Sequence, residues 1–144
     1  MPQGSCLRPV LFSIYTNDLP EHLACNVVIY ADDTQLLTCY RITDQDQATE
    51  KLQSDLKAIE IWMELNHLKI NAGKTQVITF DSHPQLRKIK TEMASSLCIG
   101  GATQDQLPFV TNLGVKIDAA LSWQVHINQL FTKINAVLIQ LAWA

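Results

Sequence analysis

Between two apolar runs of β-type sequence, Asn26-Val27-Val28-Ile29-Tyr30 and Thr34-Gln35-Leu36-Leu37-Thr38-Cys39-Tyr40, stand Ala31, Asp32 and Asp33. Both arms are rich in β-branched or aromatic residues and Asp favours turns, so the segment predicts a β-hairpin carrying two neighbouring carboxylates at its tip. Two charges about 5 Å apart repel by roughly 0.8 kcal/mol at water's dielectric and about 3 kcal/mol at an effective ε near 20. In an exposed turn that cost is trivial, and an Asp pair there is ordinary turn chemistry. A partly buried pair needs a cation to relieve it. The apolar character of Tyr30 and the strand before it predicts the buried case. Hard divalent ions take carboxylate oxygens, and Mg²⁺ is held by one or two carboxylates together with substrate phosphates. Asp32 and Asp33 are thus candidate metal ligands.

The chain has 144 residues, the size of one domain. Its net charge of −3 is carried entirely by residues 1–45, where Arg8 and Arg41 face Asp18, Glu21, Asp32, Asp33 and Asp44. A protein that grips a phosphate backbone shows a basic stripe, because phosphate neutralisation supplies most of its affinity. Here there is one short basic cluster, Arg87-Lys88-Ile89-Lys90. Composition therefore argues against a self-sufficient nucleic-acid binder. Cys6, Cys25, Cys39 and Cys98 show no CxxC spacing, which excludes the common zinc patterns. They read as reduced, buried thiols of an intracellular protein, with nucleus and cytoplasm both open. No apolar run approaches the ~18–20 residues needed to span a bilayer, so no membrane association is expected.

Along the chain, Leu7, Val10, Leu11, Ile14 and Tyr15 fall at helical spacing and predict a helix over 5–17, stopped by Pro20. Its start, Pro2-Gln3-Gly4-Ser5, has two readings. It is either a simple helix start with Ser5 as N-cap, or a place where Gly4 lets the backbone approach a bound nucleotide. A second helix is predicted over 45–66, capped by Thr43 or Asp44, with Ala48, Leu52, Leu56, Ile59 and Met63 as its apolar stripe. Asn71–Thr75 reads as a turn, Gln76–Phe80 as a strand and 81–95 as an exposed loop. Further strands are expected near Leu97–Ile99 and over Phe109–Ile117, and a last helix over 122–144. The fold class is α+β, a small antiparallel sheet backed by helices.

Taken together, these motifs resemble the non-LTR (LINE-type) retrotransposon reverse transcriptases. That family shows a stretch like G-x-P-Q-G-S-x-L-x-P-x-L-F-x-x-Y-I-N-D-L-P ahead of a Y-A-D-D hairpin. The chain has Pro2-Gln3-Gly4-Ser5-Cys6-Leu7-Arg8-Pro9-Val10-Leu11-Phe12, then Tyr15, Asn17-Asp18-Leu19-Pro20, and then Tyr30-Ala31-Asp32-Asp33. A helix ending in a Trp and an L-x-x-N-x-x-K-T segment follow, matched by Trp62, Leu68, Asn71, Lys74 and Thr75. The last motif, L-G-V-x-I-D-x-x-L-x-W-x-x-H-I, is matched by Leu113-Gly114-Val115-Lys116-Ile117-Asp118, Leu121, Trp123, His126 and Ile127. Any one motif is weak. Four in order over nearly the whole chain make the resemblance specific.

The resemblance implies RNA-directed DNA polymerisation by two-metal nucleotidyl transfer, with Mg²⁺ or Mn²⁺ as cofactor. It implies an RNA template, a DNA primer and a dNTP as partners. Asp32 and Asp33 match the metal-binding catalytic carboxylates, Asp32 the principal ligand. Lys74 matches the lysine beside the triphosphate, catalytic through its charge or a proton; a solvated turn lysine is the plain alternative. Pro2, Gln3, Gly4, Tyr30 and Ala31 match residues near nucleotide and template, and Leu113 and Gly114 match the β-hairpin that grips the primer. Residues 1–120 correspond to part of the polymerase palm and 121–144 to the start of the thumb, where Trp123 and His126 are packing residues.

Three departures from the family pattern predict a chain inactive by itself, with weak metal binding. Arg8 stands where glycine is usual, the sequence stops within the thumb, and the family's upstream Asp strand and fingers have no counterpart before Pro2. A non-catalytic retroelement remnant that binds nucleic acid or protein is the alternative. An unrelated α+β hydrolase would need a third carboxylate or His near the hairpin, and the sequence nominates none.

Overall fold

The computed structural model describes residues 7–81 and 97–142. They form an α+β protein of three helices and three two-stranded antiparallel ribbons. The expected single sheet is thus three separate hairpins. The chain divides into two compact units, Met1–Thr75 with Ser95–Gln104, and Gln76–Ala94 with Asp105–Ala144.

In the first unit, α1 (Arg8–Tyr15) starts with Leu7 at its N-cap position and ends at Thr16. It ends short of the predicted residue 17, and the predicted Ser5 cap lies outside the described residues. The stop also differs from expectation: the Thr16 backbone N–H and hydroxyl both donate to the Phe12 carbonyl, at 3.0 and 3.1 Å. A Thr back-bonding in this way offers the chain a local alternative to another helical turn. Pro20 comes later, in a 3₁₀ turn over Leu19–His22.

β1 (Asn26–Tyr30) and β2 (Asp33–Leu37) form the predicted hairpin, from Asn26 opposite Leu37 to Tyr30 opposite Asp33. The second strand starts one residue earlier and ends three earlier than the predicted Thr34–Tyr40. α2 (Gln45–Leu65) follows close to its predicted bounds. Asp44 stands at its N-cap position as expected but makes no side-chain capping bond, and the Thr43 hydroxyl donates to the Asp44 carboxylate at 2.8 Å. Of the predicted stripe, Ala48 and Ile59 are buried and Leu52, Leu56 and Met63 half-buried. The core centres on Leu19, Ile59 and Trp62, with Leu23, Ile29, Leu36, Met63, Leu68 and Ile70 packed around it. A 3₁₀ turn at Ala72–Lys74 fills the predicted turn.

A tight ribbon of β3 (Cys98–Ile99) and β4 (Ala102–Thr103) completes this unit. Its turn, Gly100-Gly101, has positive φ at both residues, a backbone that glycine adopts without strain. α2 holds this ribbon through polar side chains: the Gln53 amide donates to and accepts from the Cys98 backbone at 3.0 and 2.7 Å, and Glu60 accepts the Gly100 N–H.

In the second unit, Gln76–Phe80 is not a strand. Its pairing is one parallel bridge, Val77 with Gln106, plus the Leu107 N–H donating to the Val77 carbonyl at 2.8 Å. β-type composition becomes a strand only where a partner runs alongside. The predicted strand over Phe109–Ile117 is two strands, β5 (Phe109–Asn112) and β6 (Val115–Asp118), folded back at Leu113-Gly114. α3 (Gln124–Ala142) ends the described chain. Its apolar residues, from Ile127 to Leu141, are largely exposed. The loop expected over 81–95 lies outside the described residues except at Asp81.

Candidate active site

The two carboxylates sit where the hairpin register puts them. Tyr30 pairs with Asp33, leaving Ala31 and Asp32 as the two-residue turn. Ala31 has a φ of +51°, the left-handed region that a residue with a Cβ occupies at a cost of roughly 1–2 kcal/mol. Strain of this kind collects at functional sites when the surroundings hold it in place.

Strand alternation divides the hairpin into two faces. Val27, Ile29, Thr34 and Leu36 share the half-buried face, and Ile29 and Leu36 reach the core cluster. Asn26, Val28, Tyr30, Asp33 and Leu37 share the open face. Tyr30 is 62% exposed, and both Asp residues are exposed. The expectation of a partly buried carboxylate pair is therefore overturned. A two-stranded ribbon can cover only one of its faces with the core, and the turn projects beyond the covered part. Relief of burial is no argument for a metal here. The adjacency of two hard oxygen donors is.

Among the described residues no group of three or more His, Cys, Asp or Glu side chains could hold a metal. Asp32 and Asp33 supply two carboxylates, a donor set that fits Mg²⁺ when phosphate oxygens and water complete its shell. Lys74 is exposed in its 3₁₀ turn, and among the described residues no ion pair joins it to the Asp pair. Pro2, Gln3 and Gly4 lie outside the described residues. Leu113 and Gly114 form the tip of the β5–β6 hairpin, with φ of +47° and +85°. Both values suit the turn type that matches strand twist, although Leu113 carries a side chain there.

The family profile described as reverse transcriptase (RNA-dependent DNA polymerase) matches residues 1–117. The chain belongs to the reverse transcriptase family. It is 30% identical over 151 aligned residues to the RNA-directed DNA polymerase from mobile element jockey of Drosophila funebris, covering 99% of this chain and 16% of that protein. It is 27% identical over the same coverage to the jockey polymerase of Drosophila melanogaster. It is 29% identical, again with 99% and 16% coverage, to the probable RNA-directed DNA polymerase from transposon BS of that species. These similarities identify a non-LTR retrotransposon reverse transcriptase sequence. The chain spans about a sixth of the length of these relatives. No solved structure matches it significantly.

Within this reverse transcriptase segment, two carboxylates have roles that sequence reasoning did not assign, although Asp118 stood in the last motif. Asp55 is buried on α2 and accepts the backbone N–H groups of Ala24 and Cys25. Burial by itself would push its carboxyl up, but the N–H groups of Ala24 and Cys25 outweigh that and hold it below the ordinary value. Asp118 accepts the N–H groups of Ala120, Ser122 and Trp123 and the Ser122 hydroxyl, all at 3.0–3.2 Å. Its carboxyl is held low, first by the Ser122 N–H. It anchors the approach to α3. Ser122, just ahead of α3, is a helix-start residue that the sequence does contain, and its hydroxyl accepts the Gln124 N–H at 3.3 Å. Asp55 has no such signal, since its partners lie 30 and 31 residues away.

Of the residues expected to pack α3, His126 accepts the Lys116 N–H at Nδ1, at 3.3 Å, and so ties the helix to β6. Trp123 is exposed instead. Cys25 is buried as expected, whereas Cys39 and Cys98 are exposed.

Proposed function

We propose that this chain is part of a reverse transcriptase palm and the beginning of its thumb, divided near residue 120. In this reading Asp32 and Asp33 hold Mg²⁺ for RNA-directed DNA synthesis. The observation that carries it is the adjacent, exposed carboxylate pair at a two-residue turn, in a chain of this family. Bound divalent metal supplies charge neutralisation and activation of a primer 3′-hydroxyl. The protein's part is to hold the oxygens in place. Asp32, in the turn, is the principal ligand and Asp33, at the first position of β2, supports it. Tyr30 and Ala31 flank the nucleotide position. Gln3 and Gly4, with Pro2, contact template and incoming nucleotide. Lys74 neutralises triphosphate charge or donates a proton to the leaving group. Leu113 and Gly114 grip the primer strand.

Two carboxylates are few for Mg²⁺, which dehydrates reluctantly, so the chain by itself binds it weakly and polymerises nothing detectable. Titration with Mn²⁺, followed by paramagnetic broadening of the Asp32 and Asp33 amide signals, is expected to show an effect only at millimolar concentrations and above. Asp32→Asn is expected to abolish it. Broadening indifferent to Asp32→Asn would remove the pair as the site, and tight Asp32-dependent binding would remove the claim of incompleteness. Primer extension on an RNA template is expected from a chimera carrying the upstream region of the jockey relative, silenced by Asp32→Ala. Extension by the present chain alone would overturn the fragment reading.

A further inference from the structure

Asp55 takes no part in the chemistry above, yet it is among the most carefully satisfied side chains of the first unit. It is 3% exposed in the interior of α2. Its Oδ1 accepts the Ala24 N–H at 3.0 Å and its Oδ2 the Cys25 N–H at 2.7 Å. Burying a charge is costly unless it is hydrogen-bonded in this way. An ionised carboxylate is acceptor-only at both oxygens, which suits two successive backbone donors. An asparagine offers one acceptor and turns an NH₂ group toward the other donor.

Ala24 and Cys25 lead directly into β1, so the clamp grips the base of the hairpin while the Asp pair stands at its far end. The five residues of β1 span roughly 17 Å. The hairpin is a ribbon of two strands, and among the described residues no third strand pairs with it. Its pose on α2 is set by this base and by Ile29 and Leu36 on the core cluster. A base free to shift lets the tip swing. We propose that Asp55 is a positioning residue for the Asp32–Asp33 pair, fixing the turn's place through the backbone of Ala24 and Cys25. The inference rests on the metal-site reading of that pair, and its test separates the two.

The test uses the full chain, comparing wild type with Asp55→Asn at a temperature where both are folded. Amide exchange in β1 and β2 is expected to rise about tenfold or more, the scale of losing a hydrogen bond to a charged group. Amides at Ile59 and Trp62 are expected to keep their rates. The Mn²⁺ concentration that broadens the Asp32 and Asp33 signals is expected to rise severalfold. A residue that merely stabilises the fold would speed exchange uniformly and leave the Mn²⁺ requirement of folded molecules unchanged. Uniform or unaltered exchange, or an unchanged Mn²⁺ response beside a loosened hairpin, overturns the proposal. If wild type shows no Asp32-dependent broadening, the metal reading falls, and selective exchange still supports Asp55 as the residue that sets the turn. Ala24→Pro deletes one donor only, and Leu23, at φ −118° and ψ 142°, already has the extended backbone that precedes proline. It is expected to give the same pattern more weakly, and it decides by the same criteria if Asp55→Asn does not fold. Failure of both to fold overturns the proposal, because the clamp would then hold the fold and not the pose.

Discussion

The Cys25 thiol lies against the Asp55 carboxylate, and each shifts the other. Burial, and then the neighbouring carboxylate, push the thiol up to about 11. At about pH 8 it is therefore protonated and shielded, a poor nucleophile. Iodoacetamide is expected to label Cys39 and Cys98 and spare Cys25 in the folded chain; mass spectrometry of the digested product checks this. For Asp55 the sign runs the other way. Its folded value lies below the ordinary 3.8, so the stability it contributes is complete above that value and is lost as pH falls through the folded one. Acid titration of the unfolding midpoint should show this loss in wild type and a flatter acid limb in Asp55→Asn. Neither residue was legible as a pair. A lone Asp within a helical stretch reads as a solvated charge, and only the return of the chain from β1 makes it a buried one.

At the scale of elements, regular patterns were readable and reversals of the backbone were not. The spacing of Ala48, Leu52, Leu56, Ile59 and Met63 gave α2 to within a residue or two of its observed bounds. The turn was legible over Ala31–Asp33 because both arms are β-type and Asp suits turns, although Asp33 itself opens β2. Leu113 hid the second turn, since leucine is a poor candidate for positive φ, and Phe109–Ile117 read as one strand. The resemblance alone implied the hairpin that the structure contains. Leu113→Asn would place a residue that tolerates this backbone before Gly114, and is expected to stabilise the chain by about 0.5–1 kcal/mol in urea unfolding. If Leu113 grips primer, the same change should weaken extension in the jockey chimera. Asp118→Ala removes the acceptor for three backbone N–H groups ahead of α3. A lower melting temperature and a loss of far-ultraviolet helical signal are expected.

At the scale of the whole molecule, the feature that sequence periodicity could not reveal is which apolar faces stay uncovered. Ile127, Leu130, Ile134, Val137, Leu138 and Leu141 repeat at helical spacing, the signature of a face meant for contact, yet each is at least 43% exposed. Periodicity shows that a face exists and says nothing of what meets it. Contiguous apolar surface of this kind drives association. Sedimentation of the isolated chain is expected to depend on concentration, and Ile134→Glu to reduce that dependence. The Asp32–Asp33 pair lies at the turn of the hairpin but is exposed where a partly buried pair was expected, because exposure depends on what covers a ribbon. One arrangement described above also bears on how the sequence can drift. Through Gln53, Asp55 and Glu60, α2 grips main-chain atoms of the segment entering β1 and of the β3–β4 ribbon. Main-chain atoms are common to all amino acids except for the N–H that proline lacks. A saturation mutational scan should therefore be lopsided, with positions 53, 55 and 60 intolerant while positions 24 and 98 accept most residues other than proline.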